Sequence, residues 1–445
     1  MSTPTSRIAL RPEDEARVKE SGKLSKQLNR LQETLSRIRS APPAGHARNR
    51  KELEAALTKA QTAMETSLSI PDTDTQTSRT QRKELKRLCQ SLEVLDQQNR
   101  FSDVINKRLP KKGIYIGIDL GGTNAQVAAV SSRGETLASK KVAVAGIEDP
   151  EEVTSLLASE VQLLVSETGG KWKQVVGLGI GAAGTIDLEE GVVIFAPNLN
   201  WRDVPARSML ETKLKIPVTL DNDVNVGTLG EWALGAGRGY QTIVGIFWGT
   251  GIGGGLIVNG ELIRGANGMA AEVGHMVVDP RGPKCGCGNI GCMESIAGRR
   301  SIARDIRSAI RAGEATIITE LVGKNPKVIR SGDLREAVKQ RDKVALRVLK
   351  NAAAAVGLGM ANIANLVDPD AFIIGGGVVE ALGEWIVEES TEAAKKDIIS
   401  VDQRQLTVLP AMIGDNAGAL GGAILAMRMS EWANGRMGEW ANERM

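Results

Sequence analysis

The chain has 445 residues, which is enough for two or three domains of ordinary size. Four cysteines exclude a disulfide-stabilised scaffold, and an aromatic content of 3% argues against stacking on nucleic-acid bases as the main activity. Glycine accounts for 50 of the 445 residues, well above the usual share of roughly 7%, and this surplus needs a structural cause.

The first 112 residues differ from the rest in composition. They contain two glycines and carry 23 Lys and Arg against 14 Asp and Glu, a net charge of +9, whereas the remainder carries 33 against 39, a net charge of −6. This change predicts a domain boundary between residues 112 and 113. Residues 1–30 contain no apolar stretch of the signal-peptide type, so the default expectation is a cytoplasmic protein.

Short apolar seams at helical spacing run through this extension, and the first is formed by Leu24, Leu28, Leu31, Leu35 and Ile38. They predict an all-α extension, either a helical hairpin or an inter-subunit coiled coil, and with it a homo-oligomer (dimer or tetramer). The basic charge leaves a DNA-binding helix-turn-helix open. A compact unit of three helices with a short Gly-containing turn is not evident, so a nucleic-acid partner is disfavoured.

From residue 113 onward, strand-like apolar runs alternate with helical stretches, which is typical of an α/β protein. The longest uncharged run, 239–260, contains eight glycines and is interpreted as strands around a Gly-rich turn, so no membrane span is predicted. The predicted buried strands are Ile114–Ile118, Val175–Ile180, Ile243–Phe247 and Phe372–Ile374, and a further strand is predicted at Ile216–Leu220.

The first Gly-rich element, Asp119-Leu-Gly-Gly-Thr-Asn124, follows the first predicted strand directly. Two adjacent glycines allow backbone N–H groups to approach phosphate oxygens, and a carboxylate at a strand end can hold a hydrated divalent cation. An ordinary hairpin turn is the other interpretation, because residues 127–130 could form the returning strand. The two interpretations are compatible.

A cluster of Asp and Asn side chains, Asp221-Asn-Asp223-Val-Asn225, lies at the end of another predicted strand. A strand-end carboxylate is well placed to act as a general base towards a substrate hydroxyl. A polar turn without chemistry explains the same residues equally well.

Two further Gly-rich elements each close a predicted strand: Gly249-Thr-Gly-Ile-Gly-Gly-Gly255 and Gly375-Gly-Gly377. Together with the first, they predict a nucleotide held between two lobes. Gly249, Gly251 and Gly254 also spell a dinucleotide fingerprint, but no helical pattern follows them, so a nicotinamide cofactor is disfavoured.

The most specific pattern combines His275 with three cysteines inside 18 residues, Cys285, Cys287 and Cys292. One imidazole and three thiolates are the ligand set of a closed tetrahedral Zn²⁺ site, which is structural because no position remains for water. Simple buried thiols are the other interpretation. The remaining cysteine, Cys89, is assigned to packing.

Four segments in this order closely resemble the ROK family of bacterial sugar kinases and sugar-sensing repressors, above all its glucokinases: Asp119-Leu-Gly-Gly-Thr123, Asn222-Asp-Val-Asn225, Glu272-Val-Gly-His275 and Cys285 to Glu294. The resemblance covers about residues 113–428. It does not reach the extension or the tail, 429–445, which contains an eight-residue tandem repeat. It implies an α/β, two-lobed actin-like (RNase H-like) ATPase fold in which ATP and a sugar meet in a cleft.

The resemblance also implies roles on the sugar side. Asp223 would be the catalytic base for the sugar 6-hydroxyl, and His275 would serve both zinc and the sugar. The implied sugar-binding residues are Asn198, Asn222, Asp223, Glu272, His275 and Glu294.

On the nucleotide side, Asp119 would face Mg²⁺, the first two Gly-rich turns would hold the ATP phosphates, and the third would border the adenosine. The implied cofactor-binding residues are Asp119, Gly121, Gly122, Thr123, Asn124, Thr250, Gly251, Gly253, Gly254, Gly375, Gly376 and Gly377.

An ATP-dependent hexokinase of the glucokinase type is therefore expected, with glucose first among hexoses that include mannose, allose and N-acetylmannosamine. A sugar-responsive transcriptional regulator is the rival, and a polyphosphate-using kinase is a third alternative. Two departures from the family pattern leave the preferred sugar open: Gly181-Ala-Ala-Gly184 lacks the usual proline, and Ala297-Gly298 replaces Ser-Gly.

Overall fold

The structure, a computed structural model, describes residues 113–323, 326–404 and 406–433. The helices predicted within residues 1–112 and most of the C-terminal tail lie outside the described residues.

The described residues form two five-stranded sheets and one three-stranded sheet. Their strands are β1 (Ile114–Leu120), β2 (Asn124–Ser131), β3 (Thr136–Ala143), β4 (Val175–Ala182), β5 (Thr185–Asp187), β6 (Val192–Ala196), β7 (Trp201–Val204), β8 (Val218–Asn222), β9 (Ile243–Trp248), β10 (Ile252–Val258), β11 (Glu261–Leu262), β12 (Ala371–Gly375) and β13 (Val408–Pro410). All five predicted strands are present. The one predicted at 216–220 begins two residues later, because Pro217 has no N–H to donate to a sheet.

The two large sheets have the same topology. The first has the strand order β3-β2-β1-β4-β8, and the second has β11-β10-β9-β12-β13. In both, the first three strands are antiparallel and the last two run parallel to the central strand. Each sheet has its own apolar core, so the described residues form two lobes built on one repeated plan.

Helices connect and cover the strands, as expected for an α/β protein. They are α1 (Pro150–Glu167), α2 (Ala206–Leu214), α3 (Asp223–Leu234), α4 (Met293–Ala297), α5 (Arg299–Arg311), α6 (Ile318–Val322), α7 (Ser331–Lys339), α8 (Lys343–Val367), α9 (Gly377–Leu382), α10 (Glu384–Ala394) and α11 (Ala417–Ala433). The last of these continues past residue 428, so the first residues of the predicted tail belong to a helix of the body.

By length and composition, α8 is apolar enough to cross a membrane, and it is one such helix among the described residues. Its most apolar stretch is 67% buried within the protein, where it contributes to the core of the second lobe. This burial is typical of a core helix in an α/β protein.

The helices α3 and α11 cross at very short range. A Cβ atom added to Gly421 in α11 would lie 1.7 Å from the carbonyl oxygen of Val226 in α3, and one on Gly230 would lie 2.3 Å from the carbonyl oxygen of Ala417. Only glycine allows this approach, because any side chain would force the helices apart. The surplus of glycine therefore serves close packing as well as turns.

Replacing Gly421 by Ala is expected to lower the free energy of unfolding by about 3 kcal/mol, because the added methyl group overlaps Val226 and the helices must separate. The control is Gly332→Ala in α7, where no atom lies within 4 Å of the added Cβ and the higher helix propensity of Ala should stabilise by up to about 1 kcal/mol. Urea denaturation of both variants measures the difference. Equal stability of the two variants would contradict the close helix crossing.

One buried carboxylate ties together the two segments through which the chain passes between the lobes. Glu231, fully buried near the end of α3, accepts hydrogen bonds from the N–H groups of Ala236 at 2.9 Å, Met412 at 3.0 Å and Ile413 at 2.7 Å. Ala236 lies on the connection from α3 to β9, and the other two lie on the connection from β13 to α11. Glu231 therefore holds these two connections between the lobes next to each other.

Candidate active site

The first Gly-rich turn, residues 121–123, connects β1 to β2, and the hairpin interpretation is confirmed. The N–H of Gly121 donates to the carbonyl oxygen of Asn124 at 3.1 Å, which places Asn124 at the start of β2. Asn198, an exposed residue between β6 and β7, lies directly on this turn, since a Cβ on Gly122 would be 2.2 Å from its carbonyl oxygen. One predicted sugar ligand therefore adjoins one predicted phosphate turn.

Asp119 lies at the carboxyl end of β1 and faces the beginning of α11. A Cβ on Gly418 would lie 2.4 Å from its Oδ2. Burial, together with the nearby charges of Asp223 and Asp415, raises the pKa of Asp119 to about 7. A divalent cation at this carboxylate would relieve the repulsion between the three acids, so these residues fit the predicted Mg²⁺.

Asp223 is the first residue of α3, immediately after β8. Asn222 caps the helix, because its Oδ1 accepts hydrogen bonds from the N–H groups of Val224 at 2.9 Å and Asn225 at 3.3 Å. Burial raises the pKa of Asp223 and the nearby Glu272 adds to the rise, while a hydrogen bond from the N–H of Val224 opposes it. A carboxylate with a raised pKa is a stronger base at neutral pH.

The strand-to-helix junction that presents Asp223 is braced by Asp221, a residue to which the sequence assigned no role. Asp221 is 1% exposed and accepts hydrogen bonds from Nε of Arg264 at 2.6 Å and from Nδ2 of Asn225 at 2.9 Å. Arg264 is 43 positions further along the chain, so the motif alone could not reveal this ion pair.

The second Gly-rich turn is shorter than predicted and comprises residues 249–251, between β9 and β10. Gly253 and Gly254 lie inside β10, where they pair with Phe247 and Ile246. A strand follows the turn, which confirms the expectation that no helix follows this glycine motif.

Glu294, a predicted sugar ligand in α4, also touches this turn. Its Oε2 accepts a hydrogen bond from the N–H of Ile252 at 2.9 Å, and a Cβ on Gly251 would lie 2.1 Å from the same oxygen. In the second lobe, as in the first, a residue predicted to bind the sugar therefore adjoins a turn predicted to bind phosphate.

The third Gly-rich element joins β12 to α9. Gly376 has φ 90°, and its Cα lies so close to the end of β9 that a Cβ would be 2.7 Å from the carbonyl oxygen of Trp248. Burial raises the pKa of Glu380 on α9, and the charge of Asp415 adds to it. The charge of Asp415 acts on both Glu380 and Asp119, so Asp415 lies near both of these acids.

The four predicted zinc ligands lie together. Nδ1 of His275 is 3.6 Å from Sγ of Cys285, Sγ of Cys287 is 3.6 Å from Sγ of Cys292, and all four donor atoms lie within 4.8 Å of one another. Tetrahedral Zn²⁺ with bonds of about 2.0 to 2.3 Å separates its ligand atoms by roughly 3.5 to 3.8 Å. The donor set and its spacing fit Zn²⁺.

Burial raises the pKa of Cys292 to about 12, so this thiol is protonated at neutral pH, and a metal ion that bound it would displace the proton. Because Nδ1 of His275 is the ring nitrogen directed at the cysteines, its Nε2 remains available for a second contact.

Two lobes of repeated α/β topology, with three Gly-rich turns and a half-buried carboxylate at a helix start, define a two-lobed actin-like (RNase H-like) ATPase fold. Residues 115–429 match the ROK family, and the chain belongs to that family.

Three relatives illustrate the range of the family. The chain is similar to the glucokinase of Streptomyces coelicolor, with 34% identity over 317 residues, 71% of this chain and 98% of that protein. It is also similar to the crystal structure of a ROK family glucokinase from Streptomyces griseus in complex with glucose and AMPPNP, with 36% identity and a TM-score of 0.61 over 71% of this chain and 100% of that one. The xylose repressor of Caldicellulosiruptor bescii is 32% identical over 72% of this chain and 79% of that protein.

Proposed function

We propose that this chain transfers the γ-phosphoryl group of ATP to the 6-hydroxyl of a hexose, with glucose as the first-ranked substrate. The observation that carries the proposal is the position of Asp223, a half-buried carboxylate with a raised pKa at the start of α3, close to the charges of Glu272 and Asp119. The similarity to glucokinases from two Streptomyces species supports a sugar kinase.

In the proposed reaction, Asp223 removes the proton of the 6-hydroxyl while the sugar oxygen forms a bond to the γ-phosphorus. The bond from that phosphorus to the oxygen of ADP breaks, and ADP leaves with the electron pair. Mg²⁺ held opposite Asp119 would neutralise charge on the phosphates. The hydroxyls of the sugar would be positioned by Asn198, Asn222, Glu272, His275 and Glu294.

The nucleotide would be held by the backbone of the Gly-rich turns, including Gly121 to Thr123 in the first lobe and Thr250 and Gly251 in the second, with the third turn, 375–377, bordering the adenosine. Gly253 and Gly254 would contribute through the register of β10, because they belong to the strand that anchors the turn. Zn²⁺ would have a structural role, holding the loop that carries His275 next to the sugar site.

A coupled assay that follows ADP release over a panel of glucose, mannose, allose and N-acetylmannosamine tests the proposal. Glucose with ATP and Mg²⁺ should give the highest kcat/KM, and polyphosphate should support less turnover than ATP. Absence of turnover with every hexose and both donors, in a preparation that contains zinc and unfolds cooperatively, would refute it.

A sugar-responsive regulator is the second candidate, and the xylose repressor relative favours it. The regulator would bind the same sugars without turnover. Equilibrium dialysis with radiolabelled glucose in the same preparation separates the two functions, because binding without ADP release is the result expected of a regulator alone.

The division of the chain is part of the proposal. Residues 113–428 would form the kinase body, residues 1–112 a basic helical extension that supports a homo-oligomer in the cytoplasm, and residues 429–445 a tail. A chain that begins at residue 113 should phosphorylate the preferred hexose at a rate similar to that of the full chain in the same coupled assay.

A further inference from the structure

Arg299, the first residue of α5, lies beside the second Gly-rich turn. Its backbone N–H donates to the carbonyl oxygen of Gly249 at 3.1 Å, which fixes the start of the helix to the turn. Its side chain reaches the tip of the turn, where Nη2 donates to Oγ1 of Thr250 at 2.7 Å. A guanidinium group is thus held against a turn that would hold phosphates.

The second Gly-rich turn has backbone N–H groups that are not used in hydrogen bonds within the described residues. Within the described residues, the amides of Thr250 and Gly251 donate no hydrogen bond, whereas the next amide, that of Ile252, is taken by Glu294. The side chain of Thr250 is exposed. The turn therefore offers an anion two backbone N–H groups that donate no other hydrogen bond, with the hydroxyl of Thr250 and the guanidinium of Arg299 beside them.

Several carboxylates lie near one another around the proposed site, and a nucleoside triphosphate carries several negative charges of its own. Asp223 and Asp415 act on Asp119, Glu272 acts on Asp223, Asp415 acts on Glu380, and Glu294 contacts the second Gly-rich turn. A cation beside the turn would offset part of this repulsion.

Two nearby cations are paired with acids: Arg264 with Asp221 at 2.6 Å and Lys141 with Asp415 at 3.8 Å. Arg299, in contrast, has no carboxylate within 4 Å in the part of the chain that the structure describes, and its recorded partner is a neutral hydroxyl. Its charge is therefore available to a ligand.

We propose that Arg299 binds the phosphate chain of the nucleoside triphosphate and helps to neutralise the charge that develops on the transferred phosphoryl group. The planar guanidinium offers two parallel donors to phosphate oxygens, so it can keep Thr250 with one edge and hold a phosphate with the other. The inference rests on the proposed kinase function, but the binding of a nucleotide can be measured separately from turnover.

Arg299→Met tests the assignment. The apparent affinity for ADP, measured by calorimetry without sugar, and the KM for ATP should each worsen by at least about tenfold, because a charged hydrogen bond to phosphate is lost. Binding of adenosine should be unchanged, since it has no phosphate, and Arg299→Lys should restore part of the lost affinity.

The matched control is Arg300→Met. Arg300 is the next residue of the same helix, it is exposed, and its backbone N–H donates to the carbonyl oxygen of Thr250 at 3.3 Å without a side-chain hydrogen bond within the described residues. This variant should bind ADP like the wild type. Equal losses in both variants, or equal losses of ADP and adenosine binding in Arg299→Met, would overturn the inference.

The two proposals fail differently. A wild-type chain that phosphorylates no hexose yet loses ADP affinity on Arg299→Met contradicts the proposed function and supports the phosphate contact. An active wild-type chain whose ADP affinity is insensitive to Arg299→Met contradicts the phosphate contact alone.

Discussion

Asp223→Asn is expected to lower kcat for the preferred hexose by about 10²- to 10⁴-fold, the usual contribution of a positioned general base. The substitution keeps the shape of the side chain, and Oδ1 of Asn can still accept the hydrogen bond that the N–H of Val224 donates at 2.9 Å. Steady-state kinetics with ATP and glucose measure the effect. KM for glucose should change far less than kcat, since the proton acceptor acts mainly in the transition state.

The pH dependence should change with the same substitution. Because burial and the charge of Glu272 raise the pKa of Asp223, the wild-type kcat/KM should fall as the pH falls through that raised value, where the base becomes protonated. The Asp223→Asn variant has no proton acceptor at this position, and its residual activity should lack this limb of the profile.

Stability provides the control for this experiment. A raised carboxyl pKa means that the folded state binds the proton more readily than the unfolded state, so the stability from this group is present below its ordinary pKa of 3.8 and is lost as the pH rises through the folded value. Removing the charge should therefore leave Tm at neutral pH unchanged or higher. Retention of more than a few per cent of kcat, or activity lost in step with Tm, would contradict the assignment of Asp223 as the base.

Cys287→Ser is expected to remove zinc from the protein. Cys287 is exposed, so the substitution creates no buried cavity, and the loss should come from the missing thiolate at a site whose four donor atoms lie within 4.8 Å of one another. Native mass spectrometry should show about one Zn²⁺ per wild-type chain and almost none in the variant.

The loss of zinc should also weaken sugar binding. His275 and Glu272 lie on the segment that the metal would fix, so KM for glucose should rise by at least about tenfold, while KM for ATP changes less. Cys89→Ser removes a thiol outside the four-residue cluster and is the matched control, which should keep its zinc. An unchanged metal content in Cys287→Ser would refute the site, and an unchanged KM for glucose would separate the metal from substrate binding.

Much of the candidate site can be predicted from the sequence because its residues lie close together along the chain. The four predicted metal ligands are confined to 18 residues at spacings that suit one ion, and each Gly-rich turn directly follows a buried strand. Asn222 and Asp223 are adjacent at a strand-to-helix junction, where short polar residues cap the helix. Patterns of this kind depend on neighbouring residues, so a single sequence carries them.

Other parts could not be read in advance because the partners are far apart in the chain. The ion pair of Asp221 with Arg264 spans 43 positions, and the hydrogen bonds from the 412–413 segment to Glu231 span 181 and 182. Asp415 belongs to no recognisable sequence motif. In the folded protein it lies on the connection from β13 to α11, where its charge raises the pKa of Asp119 and of Glu380.

The sequence by itself determined the α/β class, the positions of the central strands, the cluster of Cys and His that would bind zinc and the turns that would hold phosphate. Only the tertiary structure decided which glycines make turns and which allow backbone to approach backbone, as Gly421 does at 1.7 Å from the carbonyl oxygen of Val226. Only the fold placed Arg299 against Thr250 across 49 positions. The physical reason is the same in each case: short-range patterns record local geometry and ligand chemistry, whereas close packing and electrostatic partners depend on which distant segments the fold brings together.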